Sequence, residues 1–404
     1  MSVPGCVVSR DKLVLLTGLV TYGMGQSLLF VIFTPLARAL GLVEWQLGAI
    51  IAASNVALAV SAPQWGRASD RVGRRTVFLI GLAGYVVGYA MLALGVHAGL
   101  SGWLGTGPLF ALLLALRFAY GLVVGGIGPA ATAYIADTTD ERSRSRGMAL
   151  IAMAGGLGTI IGPAFGGALA GVDPVFPMYA AAALAFAAGV WALLALPEPV
   201  RCVAPGPVPR LGMLDPRVLP YLAGWVVVFG VFTGVQTSTA SYVVDRLGVT
   251  DVVGGQRIMM VALLTMACCA LLVQGVVLPR WKAPPATLLH TGFALMTAGL
   301  LLVAAGGAPA ALYAGYAAFG LSFGFTAPGL NAAGSLSVKP EEQGAVAGLL
   351  SAAPTIGMIV GPILCGMFYR IGPALPILGG AALTALTGAW FLAVRVPDPA
   401  AERG

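Results

Sequence analysis

The stretch Gly66–Arg75, GRASDRVGRR, is the one dense run of charge in the first hundred residues. It separates two apolar segments, 46–65 and 76–97. Each segment is long enough to cross a membrane, because an α-helix needs about 20 apolar residues to span the hydrocarbon core. A short basic loop between two such segments predicts a hairpin of two transmembrane helices whose turn faces the cytoplasm.

The composition of the whole chain indicates a membrane protein. Hydrophobic residues make up 58% of the 404 positions and charged residues only 9%, whereas soluble domains carry about a quarter charged residues. The net charge of +7 comes from basic residues in short loops, so membrane topology explains it better than nucleic-acid binding. The five cysteines are scattered without C-x-x-C spacing, which predicts neither a disulfide framework nor a metal site. We expect no metal, no cofactor and no nucleic-acid partner.

Cutting the chain at charges and at Pro/Gly clusters predicts twelve membrane spans, six on each side of a linker. The spans are predicted at 13–37, 46–65, 76–97, 108–135, 147–170, 175–196, 218–244, 252–277, 285–306, 309–336, 344–368 and 373–395. The fold class is therefore an all-α membrane protein with an N-terminal six-helix bundle, 1–196, a proline-rich cytoplasmic linker, 197–216, and a C-terminal six-helix bundle, 217–404. Since twelve is even and most Lys and Arg lie on the side of the termini, both termini are predicted to be cytoplasmic.

The two halves repeat each other. In the fourth and tenth spans, Gly121, Gly125 and Pro129 recur as Gly320, Gly324 and Pro328. In the fifth and eleventh spans, Gly158, Gly162, Pro163 and Gly167 recur as Gly357, Gly361, Pro362 and Gly366. Gly23 of the first span corresponds to Gly230 of the seventh. Two pseudo-symmetric six-helix bundles are an architecture of secondary transporters, which bind substrate between the halves near the bilayer midplane.

Three motifs resemble those of the major facilitator superfamily. The loop matches the pattern G-x-x-x-D-R-x-G-R-R at Gly66, Asp70, Arg71, Gly73, Arg74 and Arg75. Leu116-Arg117 resembles the arginine motif of the fourth helix, and GGLGTIIGPAFGG, Gly155–Gly167, resembles the fifth-helix motif of proton-coupled drug antiporters. The resemblance covers the whole chain. It implies a monomeric bacterial inner-membrane exporter of a drug-like compound or metabolite, with protons as the coupling ion.

The loop is the predicted cytoplasmic gate. Gly66 and Gly73 permit a tight reversal, and Asp70 is expected to accept N–H bonds at a helix N-terminus. The resemblance implies that Asp70, Arg74 and Asp137 latch the cytoplasmic ends of the two halves in the outward-open state. The alternative is a solvated loop that only fixes topology.

Arg117 is the one charged residue well inside a predicted span, and such residues usually face a cavity or a partner. The alternative is a structural arginine bonded to backbone carbonyls. The other candidates for the substrate and proton pathway are neutral polar residues of spans that line the cavity in the family. They are Tyr22, Gln26, Gln236, Tyr242, Tyr316 and Asn331, where Tyr316 occupies the position equivalent to Arg117 in the second half.

Glycine-proline pairs predict bends in the fifth and eleventh spans, because proline removes a backbone donor and kinks a helix. The residues concerned are Gly158, Gly162 and Pro163, and then Gly361 and Pro362. Close helix packing through the glycines is the structural interpretation, and a bend that shapes alternating access is the functional one.

All 15 Asp and Glu residues map to predicted loops or span ends. A cavity with one arginine and neutral groups suits neutral, zwitterionic or anionic solutes better than cations. Asp245, Glu44 and His290 are the nearest alternatives for a proton site. Rival functions are export of a siderophore or other anionic metabolite, uptake of an anionic nutrient, a channel, or a membrane enzyme. The chain has no G-x-S-x-G, metal-ligand or phosphate-loop motif, so we expect no enzyme.

Overall fold

The computed structural model describes residues 10–139, 141–199, 211–249, 251–281, 283–339, 342–394 and 396. Within these ranges the regular structure is helical. The helices of the first half are α1 (Arg10–Ala39), α2 (Glu44–Val72), α3 (Arg74–Leu100), α4 (Thr106–Val124), α5 (Ile127–Asp137), α6 (Glu141–Leu169) and α7 (Phe176–Ala195). Those of the second half are α8 (Leu219–Leu247), α9 (Val252–Leu272), α10 (Leu278–Arg280), α11 (Pro285–Ala305), α12 (Pro309–Leu336), α13 (Gln343–Ile371) and α14 (Leu375–Ala393).

Ten helical segments among the described residues are long and apolar enough to cross a membrane. The segment Thr106–Asp137 joins α4 and α5, and Val252–Arg280 joins α9 and α10 through a π-helical turn. Helices are expected here because a spanning segment must satisfy its backbone hydrogen bonds internally. The prediction of a multi-pass α-helical membrane protein is confirmed. Most of the predicted linker, residues 200–210, lies outside the described residues.

The boundary of α2 corrects the predicted loop. The helix continues seven residues past Trp65 to Val72, so Gly66 lies inside α2 and the tight reversal predicted there is wrong. The turn falls on Gly73 alone, whose φ of 116° is unfavourable for any residue with a side chain. Hydropathy located the end of the apolar segment, whereas backbone hydrogen bonding continues through the charged residues.

The described chain divides into two compact units. The described residues within the bounds Met1–Ile32 and Ala53–Ala204 form the first unit, and those within Phe33–Ala52 and Pro205–Gly404 form the second. The end of α1 and the start of α2 therefore belong with the helices of the second half.

In the first unit, α1 lies against α6 with almost no side chain between them. A Cβ on Gly158 would overlap the carbonyl oxygen of Val20, and one on Gly162 would overlap that of Met24. Only glycine permits this backbone approach, as is common between membrane helices. On the other side of the unit, α3 contacts α4, α5 and α7.

In the second unit, α8 and α13 meet in the same way. A Cβ on Gly357 would overlap the carbonyl oxygen of Val226, and one on Gly361 would overlap that of Gly230. The glycines that the sequence repeat relates therefore make equivalent contacts in both units. Around this pair, α11 contacts α12 and α14, and α12 contacts α9.

Candidate functional site

Arg117 lies on α4 with only 3% of its surface exposed. Its Nη2 donates a 2.8 Å hydrogen bond to Ser54 Oγ, and its guanidinium carbon lies 4.6 Å from the centre of the Tyr120 ring. Among the described residues, no carboxylate is bonded to Arg117, and its Nε has no hydrogen-bond partner. A buried cation is costly unless another group compensates it. The arrangement suits binding of a polar or anionic group.

Three tyrosines surround this arginine, and sequence reasoning missed all of them. The rings of Tyr85 and Tyr89 on α3 are stacked, with centroids 4.6 Å apart, and Tyr120 meets both edge-on at 6.1 and 5.8 Å. The Tyr89 hydroxyl donates to the carbonyl of Gly25 on α1. The four-residue spacing of Tyr85 and Tyr89, which puts them on one helix face, was the signal available in the sequence.

The predicted α1 candidates lie near this cluster. Gln26 is half-buried and its Nε2 lies 3.5 Å from the Tyr120 hydroxyl, at the outer limit of a hydrogen bond. Tyr22 is half-buried on the same helix. The structure therefore brings Gln26 to the aromatic side of Arg117 within the first unit.

The four candidates of the second unit have different surroundings. Gln236 is buried and, among the described residues, its Oε1 has no partner. The Tyr316 hydroxyl lies 2.8 Å from Thr239 Oγ1, so α8 and α12 are bonded at the position equivalent to Arg117. By contrast, the Tyr242 hydroxyl lies 2.6 Å from the carbonyl oxygens of Val303 and Gly306, which is a structural tie. Asn331 is exposed and is not brought to this group.

An aromatic cluster on α8 and α12 was also missed. Phe229 lies 5.7 Å from Trp225, 6.0 Å from Phe232 and 5.8 Å from Phe323, centre to centre. The three phenylalanines are only half-buried. Within the described chain, the buried Trp225 Nε1 has no hydrogen-bond partner. These rings offer stacking surface together with one available donor.

The predicted gate residues form a compact group, which we call the Arg74 cluster: Ser69, Asp70, Arg74 and Asp137. Arg74 Nε donates to Asp137 Oδ2 at 3.0 Å, and its Nη1 lies 2.5 Å from Asp70 Oδ1 and 2.7 Å from Ser69 Oγ. The Asp137 side chain is 7% exposed and that of Asp70 is 60% exposed. The expected juxtaposition of Asp137 with Arg74 is therefore present, all of it within the first unit. Arg71 is exposed.

The role expected of Asp70 at a helix N-terminus belongs to another acid. Asp70 lies in the last turn of α2, and the carboxylate at the start of α3 is that of Glu198, which accepts the backbone N–H groups of Arg74 and Arg75. The Glu198 carboxylate also occupies the space where a Cβ of Gly73 would be. Glu198 comes from the start of the predicted linker, which is why the local pattern did not reveal it.

The predicted bends do not interrupt their helices. α6 runs from Glu141 to Leu169 through Pro163, and α13 runs from Gln343 to Ile371 through Pro362. The close packing expected of Gly158, Gly162 and Gly361 is present, as described above. The bend itself stays a prediction.

Two of the three alternative proton sites come together in a second group, the Arg38 cluster: Arg38, Glu44, Ser241, Asp245 and Tyr369. Arg38 binds both oxygens of Asp245, at 2.7 and 2.8 Å, and Glu44 Oε1 at 3.0 Å. The Tyr369 hydroxyl donates to Asp245 at 2.6 Å, and the Ser241 hydroxyl donates to Glu44 at 2.9 Å. The third site, His290, lies on α11, where its Nε2 has no partner among the described residues.

A further ion-pair group lies between the predicted linker and α13. Arg217, just before α8, binds Asp215 at 2.8 Å and Glu342, just before α13, at 2.9 Å. The Arg217 guanidinium holds the pKa of both carboxyl groups below their ordinary values, with a backbone N–H bond adding to the effect at each. These groups are charged at neutral pH and tie the starts of two helices together.

Comparison with known sequences gives a family match and several similar proteins. The model of the Major Facilitator Superfamily matches residues 15–362. The quinolone resistance protein NorA of Staphylococcus aureus is 22% identical over 367 residues, 88% of each chain. Multidrug resistance protein 2 of Bacillus subtilis is 27% identical over 46% of this chain and 44% of its own length. The class C tetracycline resistance protein of Escherichia coli is 32% identical over 44% of this chain and 42% of its own. The latter two alignments thus span less than half of each relative.

Solved structures share the fold. The nucleoside transporter NupG has a TM-score of 0.71 at 16% identity, with 95% of this chain and 98% of that chain covered. The human organic anion transporter MFSD10 has a TM-score of 0.66 at 21% identity, with 95% and 99% covered. A bacterial homologue of the human lysosomal transporter Spinster, in an inward-facing and unoccupied conformation, has a TM-score of 0.72 at 15% identity, with 95% and 96% covered.

Proposed function

The chain belongs to the Major Facilitator Superfamily, whose members are transporters and not enzymes, and we propose that it exports a small molecule by alternating access in exchange for protons. The expectation that it is a membrane transporter rather than an enzyme is confirmed by this membership. Its substrate is a small molecule, and it acts within a membrane. The direction of transport, the coupling ion and the substrate class are the proposal.

The proposal includes twelve spans in two six-helix bundles. Ten segments meet the length and hydropathy of a span, and α6 and α12, with 29 and 28 residues, supply the other two. The basic residues around Arg74 place that end of α2 in the cytoplasm by the positive-inside rule. Both termini then lie in the cytoplasm, and the Arg38 cluster lies on the outer side of the plasma membrane.

Export is supported by the relatives. NorA, multidrug resistance protein 2 and the class C tetracycline protein are all named for drug resistance. A flat, ring-containing compound suits the half-buried phenylalanines beside Trp225 on α8 and α12, because aromatic rings stack well on such surfaces.

The observation that carries the substrate class is the burial of Arg117 with no carboxylate partner in the part of the chain that the structure describes. A cationic substrate would meet like charge at this position, whereas an anionic group compensates the charge and a neutral group can accept N–H bonds from it. The same observation favours a second candidate function, export of an anionic metabolite. The fold neighbour MFSD10 is named an organic anion transporter.

Counterflow in proteoliposomes tests the proposal. We expect uptake of neutral aromatic drugs or of carboxylate and hydroxamate metabolites to exceed that of cationic dyes, and a pH gradient to drive it. Arg117→Ala is expected to abolish transport and Arg117→Lys to reduce it, with the exposed Arg257→Ala as the matched control. Cationic dye transport that survives Arg117→Ala would contradict the substrate class, and indifference to the pH gradient would contradict proton exchange.

A further inference from the structure

The Arg38 cluster joins parts of the chain that are far apart in sequence. Arg38 ends α1 and Glu44 begins α2, whereas Asp245 lies near the end of α8 and Tyr369 near the end of α13. Arg38 and Asp245 are 207 positions apart. The ends of α1 and α2 are thereby held against α8 and α13 by charge-assisted hydrogen bonds, which are stronger than bonds between neutral groups.

Glycines allow the backbones to meet beside these bonds. A Cβ on Gly48 of α2 would overlap the carbonyl oxygen of Pro362, and one on Gly366 of α13 would lie 2.6 Å from that of Glu44. The contact between α2 and α13 is therefore smooth. Two helices can separate and return along such a contact without rearranging side chains.

The charges in the cluster are not balanced. One guanidinium faces two carboxylates, and among the described residues only the hydroxyls of Ser241 and Tyr369 supply further donors. The cluster is also open to water, since Arg38 is 30% and Asp245 33% exposed. A cavity of about 190 Å³ adjoins Arg38 between α1 and α9 and is lined by Thr34, Asp251 and Gly255 among others. At this end of the helices that meet here, the other charged residues that the structure describes are exposed: Arg246, Asp251, Arg257 and Arg370.

We propose that the Arg38 cluster is the outer gate of the transporter, closed in this structure, in which Asp245 holds the gate shut and Glu44 favours its release. The inference rests on the proposed function, which places this end of α2 outside the cell. Arg38 and Glu44 flank one short connection and separate together from α8 and α13 when the gate opens. Opening breaks the bonds from Arg38 to Asp245 and from Ser241 to Glu44, while Glu44 remains bonded to Arg38 and compensates its charge.

The two acids therefore have opposite effects on the gate. Asp245→Asn removes the carboxylate that attracts Arg38 only in the closed state, so the open state becomes more populated. Glu44 is bonded to Arg38 in both states, so this bond does not distinguish them. Glu44→Gln removes the repulsion between the two carboxylates, which share one guanidinium only in the closed state, so the closed state becomes more populated. The expected change in the ratio of closed to open is about tenfold in each direction, a size typical of couplings between contacting charged groups.

Distances between spin labels test the gate directly. Labels at Ala39→Cys and Ile371→Cys, both exposed, report the separation of α1 from α13 in a background without the five native cysteines. At neutral pH we expect a mainly short distance in the unmodified gate, a longer population in Asp245→Asn, and a narrower short distance in Glu44→Gln. Arg246→Gln, which removes the neighbouring exposed charge, is the matched control and is expected to change nothing.

Lowering the pH provides a further test of the gate. The Arg38 guanidinium, and then the Tyr369 hydroxyl, hold the pKa of Asp245 below its ordinary value in the closed gate, and this residue lies beyond the spanning segment Leu219–Thr239. The closed gate therefore loses stability as the pH falls below the ordinary aspartate value of about 4. The long distance should grow there in the unmodified gate and not in Asp245→Asn.

Equal responses of the two acid variants, or no response in either, would overturn the proposal. If Asp245→Asn fails to fold, Glu44→Gln and the acid series still decide it, since an unchanged distance in both would also overturn it. The distances are measured without substrate or a pH gradient. A normal gate with no export would therefore contradict the proposed function alone, and normal export with unresponsive distances would contradict the gate alone.

Discussion

The Arg38 and Arg74 clusters share one arrangement of charges and differ in how far apart in the sequence their members lie. Each places one arginine between two carboxylates, one of them close in sequence and the other distant. In the Arg74 cluster the distant partner, Asp137, is 63 positions away and lies in the same unit. In the Arg38 cluster the distant partner, Asp245, is 207 positions away and belongs to the second half of the chain, although Arg38 and Asp245 both lie in the second unit.

This difference shows that a sequence motif does not by itself reveal what a charged group joins. The loop motif led to Arg74, and the observed partners of Arg74 brace α2, α3 and α5 against one another. The Arg38 cluster carries no motif, yet it links helices of both halves. The latch role predicted for Asp70, Arg74 and Asp137 stays a prediction, and the following experiments distinguish a brace from a gate.

The largest effect is expected from Asp137→Asn. Its carboxylate is only 7% exposed, so neutralising it leaves Arg74 without its buried partner and should cost about 3 kcal/mol of unfolding free energy. Asp70→Asn, at a side chain 60% exposed, should cost less than about 1 kcal/mol. Unfolding in mixed micelles with SDS measures both. Equal losses would show that Asp137 is no more a brace than Asp70.

A smaller effect is expected from Gly366→Ala. The added methyl group would lie 2.6 Å from the Glu44 carbonyl oxygen, so it should disfavour the contact of α2 with α13 and lengthen the distance between the spin labels described above. Gly348→Ala on the same helix has open space around it and serves as the control. It should leave the distance unchanged and stabilise the helix by up to about 1 kcal/mol. An unchanged short distance in Gly366→Ala would show that this glycine does not contribute to the gate.

Glu198→Gln tests how far the brace extends. We expect a loss of about 1 kcal/mol, since the carboxylate accepts backbone N–H bonds at the positive end of α3. Hydrogen exchange should accelerate at the amides of Arg74 and Arg75. Asp173→Asn, which neutralises a similar carboxylate acceptor at the start of α7, is the control and should leave these amides protected. Unchanged hydrogen exchange in Glu198→Gln would show that Glu198 does not help to hold α3 in place.

The smallest effect concerns the exposed group around Arg217. Because the pKa values of Asp215 and Glu342 are lowered, their pairing is complete above the ordinary values of the two acids and is lost as the pH falls through the lowered ones. Hydrogen exchange in the first turn of α13, corrected for its intrinsic pH dependence, should therefore rise slightly below about pH 4. Arg217→Gln should abolish the rise. A rise of the same size in Arg217→Gln would exclude this pairing as its cause.

The sequence was sufficient for features that depend on local composition. The apolar segments predicted the helices, and the repeat predicted that Gly158 and Gly357 occupy corresponding places. Arg117 was identified as buried because a charge in an apolar segment is conspicuous. These inferences need only the period of the helix and the cost of burying charge.

The remaining features depend on contacts between distant residues. Glu198 reaches Gly73 from beyond the sixth predicted span, and Asp245 reaches Arg38 across half the chain, so neither pairing leaves a local signal. The end of α2 was misplaced because hydropathy falls at Gly66 while the helix continues. Tyr85 and Tyr89 were missed because aromatic residues in an apolar span resemble ordinary packing residues.

α2 contributes an acid to each cluster, because Glu44 is its first residue and Asp70 lies in its last turn. The helix is continuous between them, so one regular element takes part in both ion-pair clusters. A substitution at either acid of α2 therefore perturbs a helix that is bonded to both arginines, to Arg38 at its start and to Arg74 at its end.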